Sequence, residues 1–103
     1  MTSKQRAYLK SLAMTMDPIL YVGKASLTEE NLRNMEEALT ARELIKVGVQ
    51  KNCDDDAREI AEAIAQHTQS ELVQVIGRKI VLYREGEGDK KRIELPSNTG
   101  RRA

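Results

Sequence analysis

The sequence predicts an α/β fold built on one mixed four-stranded sheet. Segments with helical periodicity alternate with short β-prone segments in the order α-β-α-β-α-β-β. Strand–helix–strand connections favour parallel pairing, whereas the last two strands, only two residues apart, favour an antiparallel hairpin. The helices are amphipathic rather than apolar all round. We therefore expect the three helices mainly on one face of the sheet, with the other face partly open.

The first helix and the first strand follow from the N-terminal part of the chain. Ser3 can cap a helix that runs to about Met14, and Asp17-Pro18 ends it. Residues 19–22 are apolar and β-prone, and this run stops at Gly23. The pattern predicts a short strand that leads into a loop.

The second helix and strand occupy the middle of the chain. Thr28 is a favourable N-cap, and the acidic residues that follow it suit the positive end of the helix dipole. Apolar residues then recur at helical spacing, at Leu32, Met35 and Leu39. Residues 44–50 alternate in character, which predicts a strand with one buried face and with Lys46 on the other face.

The third helix and a terminal hairpin complete the predicted fold. The three aspartates at 54–56 supply a cap and first-turn acids for a helix that runs to about Thr68. Residues 72–76 and 79–84 predict two strands, and the Gly77-Arg78 pair between them is typical of a two-residue hairpin turn. We expect a domain over residues 1–85 and a flexible polar tail over 86–103, which docks briefly through Ile93 and Leu95.

Composition limits the classes of function. The N-terminal residues lack the apolar run of a signal peptide, and no stretch has the length of a membrane span, so we expect a cytoplasmic protein with no membrane association. Cys53 is the single cysteine, which excludes an intramolecular disulfide and a cysteine-based zinc cluster. The aspartates at 54–56 lack the alternating spacing of a calcium loop. His67 has no recognisable catalytic neighbours. We therefore predict no metal, no cofactor and no enzymatic activity.

The charges are segregated along the chain, although the formal net charge is only +1. Residues 1–27 carry four basic side chains against one acid, and residues 77–84 carry three against none. In contrast, residues 28–43 hold five glutamates against two arginines, and residues 54–71 hold six acids against one arginine. Separate basic segments in a chain with two acidic helices indicate a nucleic-acid ligand.

Two basic segments are candidates for phosphate contact. The loop from Gly23 to Ser26 joins a strand to a helix N-terminus, where free N–H groups attract anions, and Lys24 adds a charge. A plain strand-to-helix turn with a solvated lysine explains the same residues. At the hairpin, Arg78 and Lys79 could contact phosphate and Tyr83 could stack on a base, but such charges equally protect a sheet edge.

Several motifs in order resemble the YhbY-type proteins, which are stand-alone bacterial versions of the chloroplast RNA splicing and ribosome maturation (CRM) domain. The resemblance spans residues 3–84 and is carried by KQRAYLK at 4–10 with Leu12-Ala13, the loop at 22–29, ELIKV at 43–47, and VQVIGRKIVLYR at 73–84. It implies a fold similar to the C-terminal domain of bacterial translation initiation factor three. The tail after Glu85 lies outside it.

The resemblance also implies which residues bind RNA. The family's Gly-x-x-Gly loop maps to Gly23, Lys24, Ala25 and Ser26, and the serine at its fourth position lacks the easy positive φ of glycine, so the grip on RNA is expected to differ in detail. Together with the basic segments, this gives an expected RNA-binding set of Lys4, Arg6, Lys10, Gly23, Lys24, Ala25, Ser26, Lys46, Arg78, Lys79, Tyr83 and Arg84.

The implied function is non-catalytic. We expect a monomeric RNA-binding protein that associates with ribosomal RNA of the large-subunit precursor, within the pre-ribosomal particle, and assists ribosome assembly without a small-molecule substrate. The alternative is a protein-binding adaptor, in which the acidic second and third helices dock onto a basic ribosomal protein or assembly factor.

Overall fold

The computed structural model describes residues 1–87 and 93–96 and has the predicted order of elements. They are α1 (Ser3–Ala13), β1 (Leu20–Val22), α2 (Glu29–Arg42), β2 (Leu44–Val49), α3 (Ala57–Thr68), β3 (Glu71–Ile76) and β4 (Lys79–Tyr83). The α/β class is confirmed. The expected flexible tail lies largely outside the described residues.

Local side-chain bonds fix where the helices begin. The N-cap of α1 is Thr2 rather than Ser3, because the Thr2 hydroxyl accepts from the Gln5 backbone N–H and the Gln5 side chain accepts from the Thr2 N–H. Thr28 caps α2 in the same reciprocal way with Asn31, as its position predicted. Asp56 occupies the N-cap of α3 without a side-chain cap bond, so its expected capping bond is absent.

The sheet is mixed, as expected, with the strand order β1-β2-β4-β3. β1 pairs with β2 in parallel, and β4 pairs antiparallel with both β2 and β3. The predicted hairpin turn is present, and Gly77 adopts φ +57°, a conformation that glycine reaches without steric penalty. β4, the last strand among the described residues, therefore lies inside the sheet.

The helices lie on both faces of this sheet, which corrects the expectation that all three cover mainly one face. α2 and α3 pack on one face over a large core that includes Met35, Leu39, Ile45 and Ile64. α1 packs on the opposite face, where Leu9 belongs to a second buried cluster. The other buried members of this second cluster are Ala13, Leu44, Val73, Val81 and Tyr83.

Strand β2 is buried on both faces, contrary to the prediction of one buried face. Ile45, Val47 and Val49 face α2 and α3, and Leu44 belongs to the cluster under α1. Lys46 shares the α1-facing side of the strand and is half-buried. Because α1 covers only part of that side, the remainder stays open to solvent.

A short C-terminal segment closes against the cluster under α1. Ile93 and Leu95 pack on that cluster, and the Gln5 side chain donates to the Pro96 carbonyl at 3.0 Å. The buried Glu43 carboxylate accepts the backbone N–H of Gly86 and, at 2.6 Å, that of Ile93. The expected docking through Ile93 and Leu95 is thus present.

Candidate nucleic-acid interface

The loop after β1 and the β3–β4 hairpin meet at one edge of the sheet, on either side of Gln50. The Gln50 backbone N–H donates to the Val22 carbonyl at 2.9 Å, and the Gln50 carbonyl accepts from the Arg78 guanidinium at 3.3 Å. The Val49 N–H donates to the Arg78 carbonyl at 2.7 Å. Two basic segments that are far apart in sequence are therefore neighbours in space.

The loop itself is a tight turn. The Ser26 N–H donates to the Gly23 carbonyl at 2.9 Å, which closes four residues into a turn with Lys24 and Ala25 exposed at its tip. A Cβ on Gly23 would lie 2.9 Å from Oε1 of Gln50, so a larger residue here would push the exposed end of the Gln50 side chain aside.

Ser26 reproduces the backbone that a glycine would take at this position. Its φ is +60°, in the left-handed region, where a residue with a Cβ pays roughly 1–2 kcal/mol. The serine therefore preserves the shape of the loop at some expense in stability.

Five of the expected RNA-binding cations are exposed: Lys4, Lys10, Lys24, Arg78 and Lys79. Lys24 follows β1, and Arg78 and Lys79 stand at the hairpin, so these three share the edge at Gln50. Lys4 and Lys10 lie on the outer side of α1. All five side chains are accessible to an anionic ligand, and the only hydrogen bond that they make among the described residues is the long one from Arg78 to the Gln50 carbonyl.

Three other expected cations hold parts of the fold together instead. The Arg6 guanidinium donates to the carbonyls of Leu72 and Val73, at the bulge of β3, and so ties α1 to this edge strand. The Lys46 ammonium donates to the Met16 carbonyl at 2.9 Å, beyond the end of α1. Because these donors are directed at main-chain carbonyls, Arg6 and Lys46 are less available to a phosphate than the exposed cations.

Arg84 is the third structural cation. Its guanidinium donates to the Glu36 carboxylate at 2.7 Å, the Thr68 carbonyl at 2.8 Å and the Thr40 hydroxyl at 2.9 Å. A weaker bond reaches the Glu36 carbonyl at 3.3 Å. The side chain thus links the end of β4 to α2 and to the end of α3, so its donors are engaged within the fold rather than free for a phosphate.

Tyr83, the residue expected to stack on a base, is buried. It lies on the same side of β4 as Lys79, as alternation predicted, but only 3% of its surface is exposed because α1 covers it. It therefore offers no free ring face to a base. Burial, assisted by the negative charges of Glu43 and Glu85, raises the pKa of Tyr83 to about 12.

The expected RNA-binding set omitted two residues at this edge and one on the sheet. Gln50, which joins the loop to the hairpin, and the exposed Lys51 beside it follow directly after β2. Tyr21 is 54% exposed on the open part of the sheet. Strand alternation, which puts Tyr21 on the opposite face from Leu20 and Val22, is a signal that could have found it.

The exposed charges differ between the two sides of the sheet. α2 and α3 present acidic side chains, namely Glu29, Glu30, Glu37, Glu59 and Glu62. The opposite side carries α1 with its lysines and the half-open sheet with Lys46 and Lys79. A polyanion is therefore attracted to the α1 side and repelled from the α2–α3 side.

Two kinds of site are absent from the described residues. No group of three or more His, Cys, Asp or Glu side chains within 1–87 and 93–96 could hold a metal ion. Within the same ranges, none of the helices has the length and apolar character needed to cross a membrane.

Comparison with known proteins identifies the family. The CRS1 / YhbY (CRM) domain matches residues 1–84. The chain belongs to the CRM domain family. It is 46% identical over 96 residues to Probable RNA-binding protein YqeI of Bacillus subtilis (strain 168), covering 93% of this chain and 99% of that protein. It is 40% identical to a protein of Haemophilus influenzae named RNA-binding protein, covering 93% and 95%.

A solved structure supports the same assignment. The CRM-family chain matches the solution structure of SAV1595 from Staphylococcus aureus with a TM-score of 0.78 and 49% identity, over 93% of this chain and 99% of that one. The architecture described above is therefore that of a CRM domain.

Proposed function

We propose that this CRM-domain protein binds RNA through the edge formed by the Gly23–Ser26 loop and the β3–β4 hairpin, without catalysing a reaction. Its ligand is ribosomal RNA of the large-subunit precursor, and its role is to assist assembly of that subunit in the cytoplasm as a monomer. The RNA-binding names of its relatives and the family resemblance support this proposal.

The observation that carries the proposal is the convergence of two basic segments on Gln50. A tight loop with Lys24 at its tip and the Arg78 hairpin lie side by side there. Cations from two segments at one place favour contact with phosphates. The lysines of α1 extend the positive surface on the side away from the acidic helices.

Phosphate contact predicts a strong dependence of affinity on salt. If about four phosphates are engaged by the five exposed cations, a plot of log affinity against log salt should have a slope of roughly −3 to −4. A slope near zero would remove phosphate contact as the main source of binding.

The direct test titrates a labelled fragment of large-subunit ribosomal RNA with wild-type protein and a Lys24→Glu, Arg78→Glu variant. We expect the variant to lose at least about tenfold in affinity and its salt slope to shrink by roughly 1.4 to 1.8, because each lost phosphate contact removes about 0.7 to 0.9. Circular dichroism of both proteins serves as the control for folding.

A matched control separates a local surface from a general charge effect. Arg42→Glu, Arg58→Glu makes the same change of formal charge at exposed positions on α2 and α3. Its affinity should stay within about twofold of the wild type at physiological salt, where charges farther apart than about 8 Å are screened. Equal losses in both variants would contradict the proposed surface. Competition by bulk transfer RNA tests the ribosomal ligand separately from RNA binding.

The acidic side of α2 and α3 favours a second candidate, an adaptor that docks onto a basic ribosomal protein or assembly factor. Glu36 is unsuitable for testing it, because its carboxylate pairs with Arg84. Glu37→Lys, Glu62→Lys changes exposed residues instead. Loss of ribosome association with unchanged affinity for RNA would favour the adaptor over the RNA-binding proposal.

A further inference from the structure

The part of the sheet that α1 leaves uncovered carries one row of residues from all four strands. Tyr21 of β1 pairs with Gly48 of β2, Gly48 pairs with Lys79 of β4, and Lys79 pairs with Ile76 of β3. Paired residues in a sheet present their side chains on the same face. The row therefore forms a continuous strip across the sheet on the α1 side.

This strip exposes large apolar side chains. Tyr21 is 54% exposed and Ile76 is 61% exposed, whereas the apolar residues farther along the same face are buried under α1. On the same face, a groove of about 230 Å³ begins at Ile76 and Lys79 of the strip. Its other lining residues are Lys46, Gln74 and Val81. Tyr21 and Ile76 stand on the two edge strands, at the two ends of the strip, and exposed apolar groups on one face mark an interaction surface.

The Tyr21 ring packs directly over Gly48 on the sheet. A Cβ at position 48 would lie 2.8 Å from Cε1 and 2.9 Å from Cδ1 of Tyr21, so the ring occupies the space of the missing side chain. Glycine inside a strand weakens it and marks a close approach by another group. Here that group is an aromatic ring, held in place while half of its surface remains free.

The open sheet face is positively charged, which favours an anionic ligand. Lys46 and Lys79 lie on it and Arg78 borders it, while none of the strip and groove positions is acidic. Asp17 is exposed in the turn before β1. Flat apolar surface together with cations suits unpaired nucleotides, which offer both a base to stack and a phosphate to pair. A duplex hides its base faces and cannot use the ring.

We infer that the open sheet face binds an unpaired RNA segment, with a base stacked on Tyr21 and the backbone phosphates at Lys79 and Arg78. The inference rests on the proposed function and names the form of RNA that this surface takes. Arg78 and Lys79 join the strip to the edge at Gln50, so one strand of RNA can contact both.

The test compares a labelled single-stranded RNA with a duplex of the same length, using wild type and Tyr21→Ala. Base–aromatic stacking predicts a loss of roughly 5-fold to 150-fold for the single strand. Affinity for the duplex should not change. The matched control is Tyr8→Ala, which removes a tyrosine that is 38% exposed on α1, outside the strip, and should leave both affinities within about twofold.

Two further variants distinguish stacking from a general apolar contact. Tyr21→Phe keeps the ring and should retain affinity, whereas Tyr21→Leu keeps apolar bulk without the ring and should lose it. Gly48→Ala should lift the ring and weaken single-strand binding with little change in folding, because the displaced group is an exposed side chain. The chain has no tryptophan, so quenching of tyrosine emission by RNA reports stacking and should weaken in Tyr21→Phe.

The outcomes separate this inference from the proposed function. Equal binding of single strand by wild type and Tyr21→Ala would overturn stacking while RNA binding through the edge at Gln50 stands. Absence of RNA binding by the wild type would overturn both. A change in concentration-dependent sedimentation of Tyr21→Ala, with unchanged RNA affinity, would assign the strip to contact between copies of the chain and overturn the inference.

Discussion

Replacing Arg84 should destabilise the fold and leave RNA binding unchanged. Its guanidinium makes three hydrogen bonds of 2.9 Å or less, to Glu36, Thr68 and Thr40, and a longer one to the Glu36 carbonyl. Bonds to a charged donor contribute about 1.5–3 kcal/mol each when considered alone. They are not additive, and the side chains of Arg84 and Glu36 are 25% and 46% exposed, so solvent weakens the ion pair.

We therefore expect Arg84→Met to lower the free energy of unfolding by about 2–3 kcal/mol. For a domain of this size, that corresponds to a decrease in Tm of roughly 8–24 °C. Arg84→Lys should recover less than half of the loss, because one compact ammonium cannot reproduce the planar fork. Arg33→Met, at an exposed position on α2, should remain within about 0.5 kcal/mol of the wild type.

Urea unfolding followed by circular dichroism measures these differences, with an unchanged m-value showing that the midpoint reports stability. RNA affinity is measured well below the Tm of each variant. If Arg84→Met were as stable as the wild type and bound RNA ten times more weakly, Arg84 would belong to the RNA surface and the structural assignment would be wrong.

Three further predictions concern two buried polar groups. Tyr83→Phe should stabilise the fold by about 1 kcal/mol in urea unfolding, since the buried hydroxyl has no hydrogen-bond partner among the described residues. The raised pKa of Tyr83 also predicts that stability falls as pH rises from 10 to about 12, and that Tyr83→Phe lacks this part of the fall. Glu43→Ala removes the acceptor for Gly86 and Ile93, so limited proteolysis beyond residue 85 should accelerate, and an unchanged digestion pattern would contradict this role.

The order of elements could be predicted because each depends on local pattern. Each of these signals depends only on residues a few positions apart in sequence. Examples are the cap at Thr28, the apolar spacing of α2 and the Gly77 turn. The side on which α1 packs is a different kind of question. The handedness rule constrains a helix between two parallel strands, and α1 precedes the first strand, so no such rule applied to it.

The position of α1 also explains why two tyrosines at the candidate site differ in exposure. Tyr21 and Tyr83 both lie on the α1 side of the sheet, and alternation treats them alike. α1 covers Tyr83 and leaves Tyr21 exposed, so Tyr83 packs in the core while Tyr21 keeps a free ring face. Likewise, a basic residue pattern cannot distinguish Lys24, which is exposed, from Arg84, whose partners lie far away along the chain.

The position of β4 constrains how the chain folds during synthesis. β4 is the last strand to be made, yet it lies between β2 and β3, and its Val81 and Tyr83 form part of the core on which α1 packs. During synthesis, α1 therefore lacks these packing partners until almost the whole domain has left the ribosome. The edge at Gln50, which needs both the loop after β1 and the hairpin before β4, is completed in that same late step, so unfinished chains do not present it.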